Sequence, residues 1–198
     1  MKFTEKEIEA MRKAALMEEH KSIRSEYDYI GDERLEFMEQ DLFEPYVRIM
    51  LPKTFLKLPE AFAKKMYPSE SRPEVIKTNP SMTVNFAFSY FDTGIKMDEV
   101  ATCTNYYLAT MRRMYPGNRY LENGERFMDE KRTRILGWYA FSNPTLDGHR
   151  YNIHAFTEIE GKLLFCIFNA SKEKYEAWKP YALEVFDSAR SGRKGGNI

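Results

Sequence analysis

Gly161-Lys162-Leu163-Leu164-Phe165-Cys166-Ile167-Phe168-Asn169 is the stretch on which the fold turns. Glu160-Gly161 reads as a turn. In the run that follows, Leu163, Phe165 and Ile167 share one face, and Leu164, Cys166 and Phe168 share the other. A strand that is apolar on both faces belongs in the middle of a sheet covered by helices on both sides.

Working outward, residues Arg119 to Asn169 read as antiparallel strands with turns at Asn123-Gly124, Asp147-Gly148 and Glu160-Gly161. Further upstream lies the cleanest alternation in the chain. Val84, Phe86, Phe88 and Tyr90 point one way, and Thr83, Asn85, Ala87 and Ser89 the other. Val47, Ile49 and Leu51 form one face of an earlier strand that Pro52 ends, and Glu74 to Lys77 suit a short one.

Helices fill the intervals. Pro59 to Ala63 suits a short turn of helix with proline in its favoured first position. Asp98 is the expected cap of a longer helix, buried along Val100, Cys103, Tyr107, Met111 and Met114 and stopped by Pro116-Gly117. Ser171 caps a last helix that turns Tyr175, Trp178, Ala182, Val185 and Phe186 inward, with Pro180 expected to break or kink it near Lys179. At the start, Thr4 and Glu7 form a capping box for a helix over Thr4 to Glu19 with a narrow stripe of Ile8, Met11 and Ala15.

This order predicts an α+β fold: an antiparallel sheet flanked by helices in an α/β/α sandwich, with an extra N-terminal helix. Residues 1–41 are assigned to that helix and a linker, 42–190 to the domain, and 191–198 to a disordered tail.

Thirty basic and thirty acidic residues leave a formal net charge of zero, which gives no footprint for nucleic acid. Two cysteines, Cys103 and Cys166, are too few for a disulfide framework and read as buried free thiols. The start is charged and no apolar run reaches the ~20 residues of a membrane span, so no membrane insertion and a cytoplasmic location are expected.

The C-terminal half carries more specific wording: Gly137-Trp138-Tyr139-Ala140-Phe141, then Tyr151-Asn152-Ile153-His154-Ala155-Phe156, the central strand, and Tyr175-Glu176-Ala177-Trp178-Lys179-Pro180. With the entry strand running into Leu51-Pro52-Lys53-Thr54-Phe55, this resembles the PsbP-like superfamily over residues 42–190. That superfamily includes the photosystem II extrinsic P subunit, a Ran-binding nuclear import factor and bacterial DcrB-type proteins. The resemblance implies the sandwich just described and a use in binding rather than in chemistry; function does not travel with a fold.

Motifs for chemistry are scarce. The chain has no phosphate-binding glycine loop, no HExxH and no GxSxG. Ser171-Lys172-Glu173-Lys174 fits S-x-x-K but reads as a helix cap. Asp147, His149 and His154 are the one clustered set suited to metal or proton transfer, and the five-residue separation of the histidines puts them on opposite strand faces. No catalytic residue, metal site or cofactor is therefore expected. Asn79-Pro80-Ser81 and Asn143-Pro144-Thr145 fail as glycosylation sites because of the proline.

The load of 13 Tyr, 14 Phe and 11 Met exceeds what a core of this size needs, so some must face outward. The interface candidates are Tyr67, Tyr106, Tyr115 and Tyr120 with Arg72, Arg112, Arg113 and Arg119. The expected function is a non-enzymatic protein-binding module, an adaptor or a chaperone for a secreted effector in a bacterium, with a homodimer as an open alternative. The competing reading is a small-molecule-binding module with an aromatic-lined pocket between sheet and helix.

Overall fold

The computed structural model describes residues 4, 5, 7, 8, 11, 22–67, 69–70, 72–146 and 148–193. Its centre is a seven-stranded antiparallel sheet built from β5 (Leu56–Lys57), β6 (Val75–Thr78), β7 (Val84–Phe91), β8 (Arg119–Phe127), β9 (Ile135–Thr145), β10 (Gly148–Ile159) and β11 (Lys162–Ala170). The spatial order is β5-β6-β7-β11-β10-β9-β8. The two-faced strand, β11, thus lies between β7 and β10, with Phe168 opposite Phe86 on one side and Ile153 on the other. Its alternation places Leu164, Cys166 and Phe168 in one core and Leu163 and Phe165 in another.

On the first face sits α3 (Lys172–Asp187), together with a three-stranded sheet of order β12-β4-β3 made by β12 (Arg190–Ser191), β4 (Val47–Pro52) and β3 (Phe37–Phe43). The rings of Phe55, Phe86, Phe168, Trp178 and Phe186 meet there at centroid distances of 5.2 to 6.4 Å. On the second face, α2 (Val100–Met114) covers β9 and β10, while α1 (Glu60–Met66) covers the β6–β7 end. The approach of α2 is close: a Cβ on Gly137 would lie 2.2 Å from Thr104 Oγ1.

Several local expectations are corrected. Residues 22–41, read as linker, are part of the main core. A short hairpin of β1 (Asp28–Ile30) and β2 (Glu33–Leu35) turns at Gly31, whose φ of 64° suits glycine, and β3 runs across residue 41. Ile23, Ile30, Leu35 and Phe37 are buried there. Asn123-Gly124 is not a turn but lies inside β8, an edge strand paired with β9. The second long helix is not capped by Asp98. A 3₁₀ turn over Met97–Glu99 precedes α2, and the Lys96 N–H donates to Glu99 Oε2 at 2.8 Å. Its buried line is Val100, Thr104 and Leu108, and Met114 is exposed.

Pro180 does not break α3. Pro180 and Glu176 both lie on the exposed side of the helix, where water can take the bond that proline cannot make. Of the predicted N-terminal helix, the Thr4 N–H donates to Glu7 Oε2 at 2.8 Å and the Glu7 N–H to Thr4 Oγ1 at 3.3 Å. Ile8 and Met11 of its predicted stripe are exposed, and Ala15 and Glu19 lie outside the described residues, as do tail residues 194–198. Ser191, the expected start of the tail, is paired in β12.

Candidate functional site

The interface candidates fall into two groups on the same side of the sheet, the side covered by α1 and α2. The larger group follows the C-terminal half of α2 into β8. Tyr106 is 67% exposed, Met114 59% and Tyr115 49%, and all three arginines of this segment are exposed. From Ala101 to Leu121 the chain carries Arg112, Arg113 and Arg119 and no acidic residue. Tyr106 and Arg113 line a shallow groove of about 310 Å³ on the outer face of α2. Arg112 lies 5.3 Å from the Tyr120 ring centre, a cation–π distance. Tyr120 is half-buried, its ring 5.9 Å from Phe141, and burial raises its pKa. It belongs to the edge of the packed layer rather than to the exposed set.

The smaller group, Tyr67 and Arg72, follows α1. Tyr67 is half-buried, and its hydroxyl turns towards the sheet and accepts a bond from Asn169 Nδ2 at 2.7 Å. Burial raises its pKa, so the phenol stays protonated. Arg72 is half-buried in the loop before β6, its Nε donating to the Ser69 carbonyl at 3.4 Å. Tyr67 is thus no exposed anchor but a wall of a different feature.

That feature is a polar cavity of about 280 Å³ lined by Met66, Tyr67, Asn143, Arg150, Asn152 and Asn169. Of these, the sequence reading singled out only Tyr67 as a site candidate. The readable clue was three asparagines, Asn85, Asn152 and Asn169, within runs otherwise apolar or aromatic. Between α2 and the sheet, a second cavity of about 230 Å³ is lined by Thr104, Asn105, Asn123, Glu125 and Trp138, and the aromatic rings beside it are closely packed. Phe156 and Phe165 stack at 4.7 Å and Tyr107 lies 4.8 Å from Phe156, so these rings fill one another's space. Neither this second cavity nor the one beside Tyr67 has the aromatic lining expected between sheet and helix: each has a single aromatic among mostly polar residues.

The histidine cluster does not assemble. His149 is exposed near the β9–β10 turn, while His154 points to the α2 face and shares a 3.0 Å hydrogen bond with the Tyr139 hydroxyl. Asp147 lies outside the described residues. Among the described residues no group of three His, Cys, Asp or Glu side chains could hold a metal ion. Cys166 is buried and Cys103 half-buried, both free, and burial raises both thiol pKa values. Among the described residues no helix is long and apolar enough to cross a membrane.

An antiparallel sheet with helices on both faces, a surface groove and a polar cavity defines a layered α+β protein. No protein-family model and no curated protein matches the chain. Among solved structures, it is similar to the solution structure of cyanobacterial PsbP (CyanoP) from Synechocystis sp. PCC 6803, with a TM-score of 0.56 and 12% identity. The match covers 78% of this chain and 92% of that one. It is also similar to LpqN of Mycobacterium tuberculosis, described as involved in cell envelope biogenesis, with a TM-score of 0.49 and 13% identity over 83% of this chain and 95% of that one. The fold of this chain is PsbP-like, as the strand order and the Leu51-to-Phe55 opening implied.

Proposed function

We propose that the protein acts by binding another protein through α2 and its turn into β8, and not by catalysis. The observation that carries this reading is the composition of that surface: exposed Tyr106, Met114 and Tyr115 set among three arginines, in a chain whose total charge is zero. Tyrosine, methionine and arginine are enriched at interfaces because they bring area and bidentate donors at modest entropic cost. The partner segment would be apolar and acidic. Arg112 and Arg113 also sit where cations favour a helix C-terminus, but that role needs no exposed aromatics beside them.

The finer reading is an adaptor or chaperone for a secreted effector in a bacterium, working in a reducing cytoplasm where Cys103 and Cys166 stay thiols. Its support is the DcrB-type resemblance and the same surface. A photo-crosslinker at position 106 should capture a discrete partner in cells, and Arg113→Glu with Arg119→Glu should abolish the adduct while the circular dichroism stays unchanged. A self-adduct would make the partner a second copy. Absence of an adduct, or one indifferent to charge reversal, would overturn the assignment of this surface.

A further inference from the structure

Asparagine suits strand interiors poorly, because it packs badly and competes for backbone bonds. Yet four asparagines lie on the α1/α2 face of the main sheet. Asn85 of β7, Asn169 of β11 and Asn152 of β10 are direct cross-strand partners in a single row. Two residues along β10, Arg150 pairs with Asn143 of β9. Tyr67, just past α1, closes the side of the cavity they form.

The hydrogen bonds within the group are incomplete in a particular way. Asn169 Oδ1 accepts from Asn85 Nδ2 at 3.0 Å and from Arg150 Nη1 at 3.1 Å. Asn152 Nδ2 donates to Asn143 Oδ1 at 2.8 Å and to the Arg150 carbonyl at 3.2 Å. Asn143 Nδ2 reaches only the Pro144 carbonyl, at 3.4 Å. Behind them Asn85 is wholly buried and its Oδ1 accepts no bond. Among the described residues no carboxylate lies within ion-pair distance of Arg150, and no group accepts the Tyr67 proton. Unspent donors therefore outnumber acceptors around the cavity. A cluster that served folding alone would be closed, since each buried polar group left unpaired costs about 1–3 kcal/mol.

We infer that this cavity binds a small organic carboxylate that also carries a hydroxyl or an amide. Arg150 supplies a planar fork that fits a carboxylate bidentately, and the Tyr67 hydroxyl donates to the same group. Asn152 Oδ1 and Asn143 Nδ2 offer an acceptor and a donor for the second polar group. The volume lies just under the range for drug-sized ligands and admits only a small molecule. The inference stands apart from the protein-binding surface on α2 and survives or fails independently of it.

The full chain, ¹⁵N-labelled at asparagine, is titrated with L-malate, L-lactate, L-glutamine and inorganic phosphate up to about 10 mM, enough to populate a millimolar complex. At least one of the three organic acids should shift the side-chain amides of Asn143, Asn152 and Asn169 saturably. Asn169→Asp is nearly isosteric and sets a carboxylate beside Arg150. That variant and Arg150→Met should each weaken the interaction about tenfold or more. Three results would overturn the proposal: no saturable shift with any of the three acids, shifts that persist unchanged in both variants, or saturable binding of phosphate alone.

Discussion

The imidazole of His154 lies among the rings of Tyr139, Phe141 and Phe165 at centroid distances of 5.3, 5.0 and 5.2 Å. Burial pushes its pKa down from 6.5 to about 3, so it stays neutral and cannot work with the exposed His149 as a proton relay. The consequence is a pH dependence of folding. The unfolded chain takes up the proton near pH 6.5 and the folded chain not until about pH 3, so the unfolded state binds more protons between them. Stability is then complete above pH 6.5 and is lost progressively as pH falls towards 3. Urea midpoints should decline through that window, and His154→Gln should flatten the part of the decline that precedes carboxylate titration. Parallel slopes for the two proteins would show that His154 titrates normally. The opposite placing of the two histidines could be read from their five-residue spacing. The asparagine row left only a clue, since Asn85, Asn152 and Asn169 are far apart in sequence until register brings them together, and Asn143 beside Pro144 looks like a turn residue.

At the scale of elements, α3 runs from Lys172 to Asp187 without a break at Pro180. Proline inside a helix ordinarily costs about 3 kcal/mol through a lost bond and a clash with the preceding turn. Tyr175, Trp178, Ala182 and Phe186 hold the helix on the sheet from both sides of the proline, so packing overrides propensity. Pro180→Ala should therefore stabilise the protein. It restores the bond to Glu176 but gives back about 1 kcal/mol of unfolded-state entropy, leaving a net gain of about 1–2 kcal/mol. For a chain of this size that raises the melting temperature by about 2–8 °C. A lower melting temperature would mean that the proline bends α3 usefully against the sheet. The long elements were legible because their periods run over many residues: β7 over eight, β11 over nine, α2 over fifteen. Strands β1 and β2 have three residues each, too few for an alternation to declare itself. Asn123-Gly124 misleads for the opposite reason. A strong turn dipeptide is used inside an edge strand, where the added Cβ would sit 3.2 Å from Trp138.

For the whole molecule, the segment before β4 decides whether the chain is one folding unit or a domain with an appendage. The structure ties it to α3 at several points. The Ile23 N–H and the Ser22 hydroxyl both donate to Glu184 Oε2 at 3.0 Å, and Lys174 Nζ lies 2.7 Å from Glu33 Oε1. Asp28 is buried and accepts from the Tyr181 hydroxyl at 2.7 Å, while the Phe37 and Tyr181 rings stack at 6.5 Å. Removing residues 1–41 would strip Ile23, Ile30, Leu35 and Phe37 from the core and uncover one edge of β4. The shortened chain should lose its cooperative thermal transition and its near-ultraviolet circular dichroism, which the full chain should show as a single event. Because truncation is a blunt test, Tyr181→Phe provides a finer one. It removes the hydroxyl that donates to buried Asp28, for a loss of about 1–3 kcal/mol by urea denaturation with the fold retained. A shortened chain that melts as sharply as the full one, with Tyr181→Phe neutral, would make residues 22–41 a docked arm and return the domain boundary to residue 42.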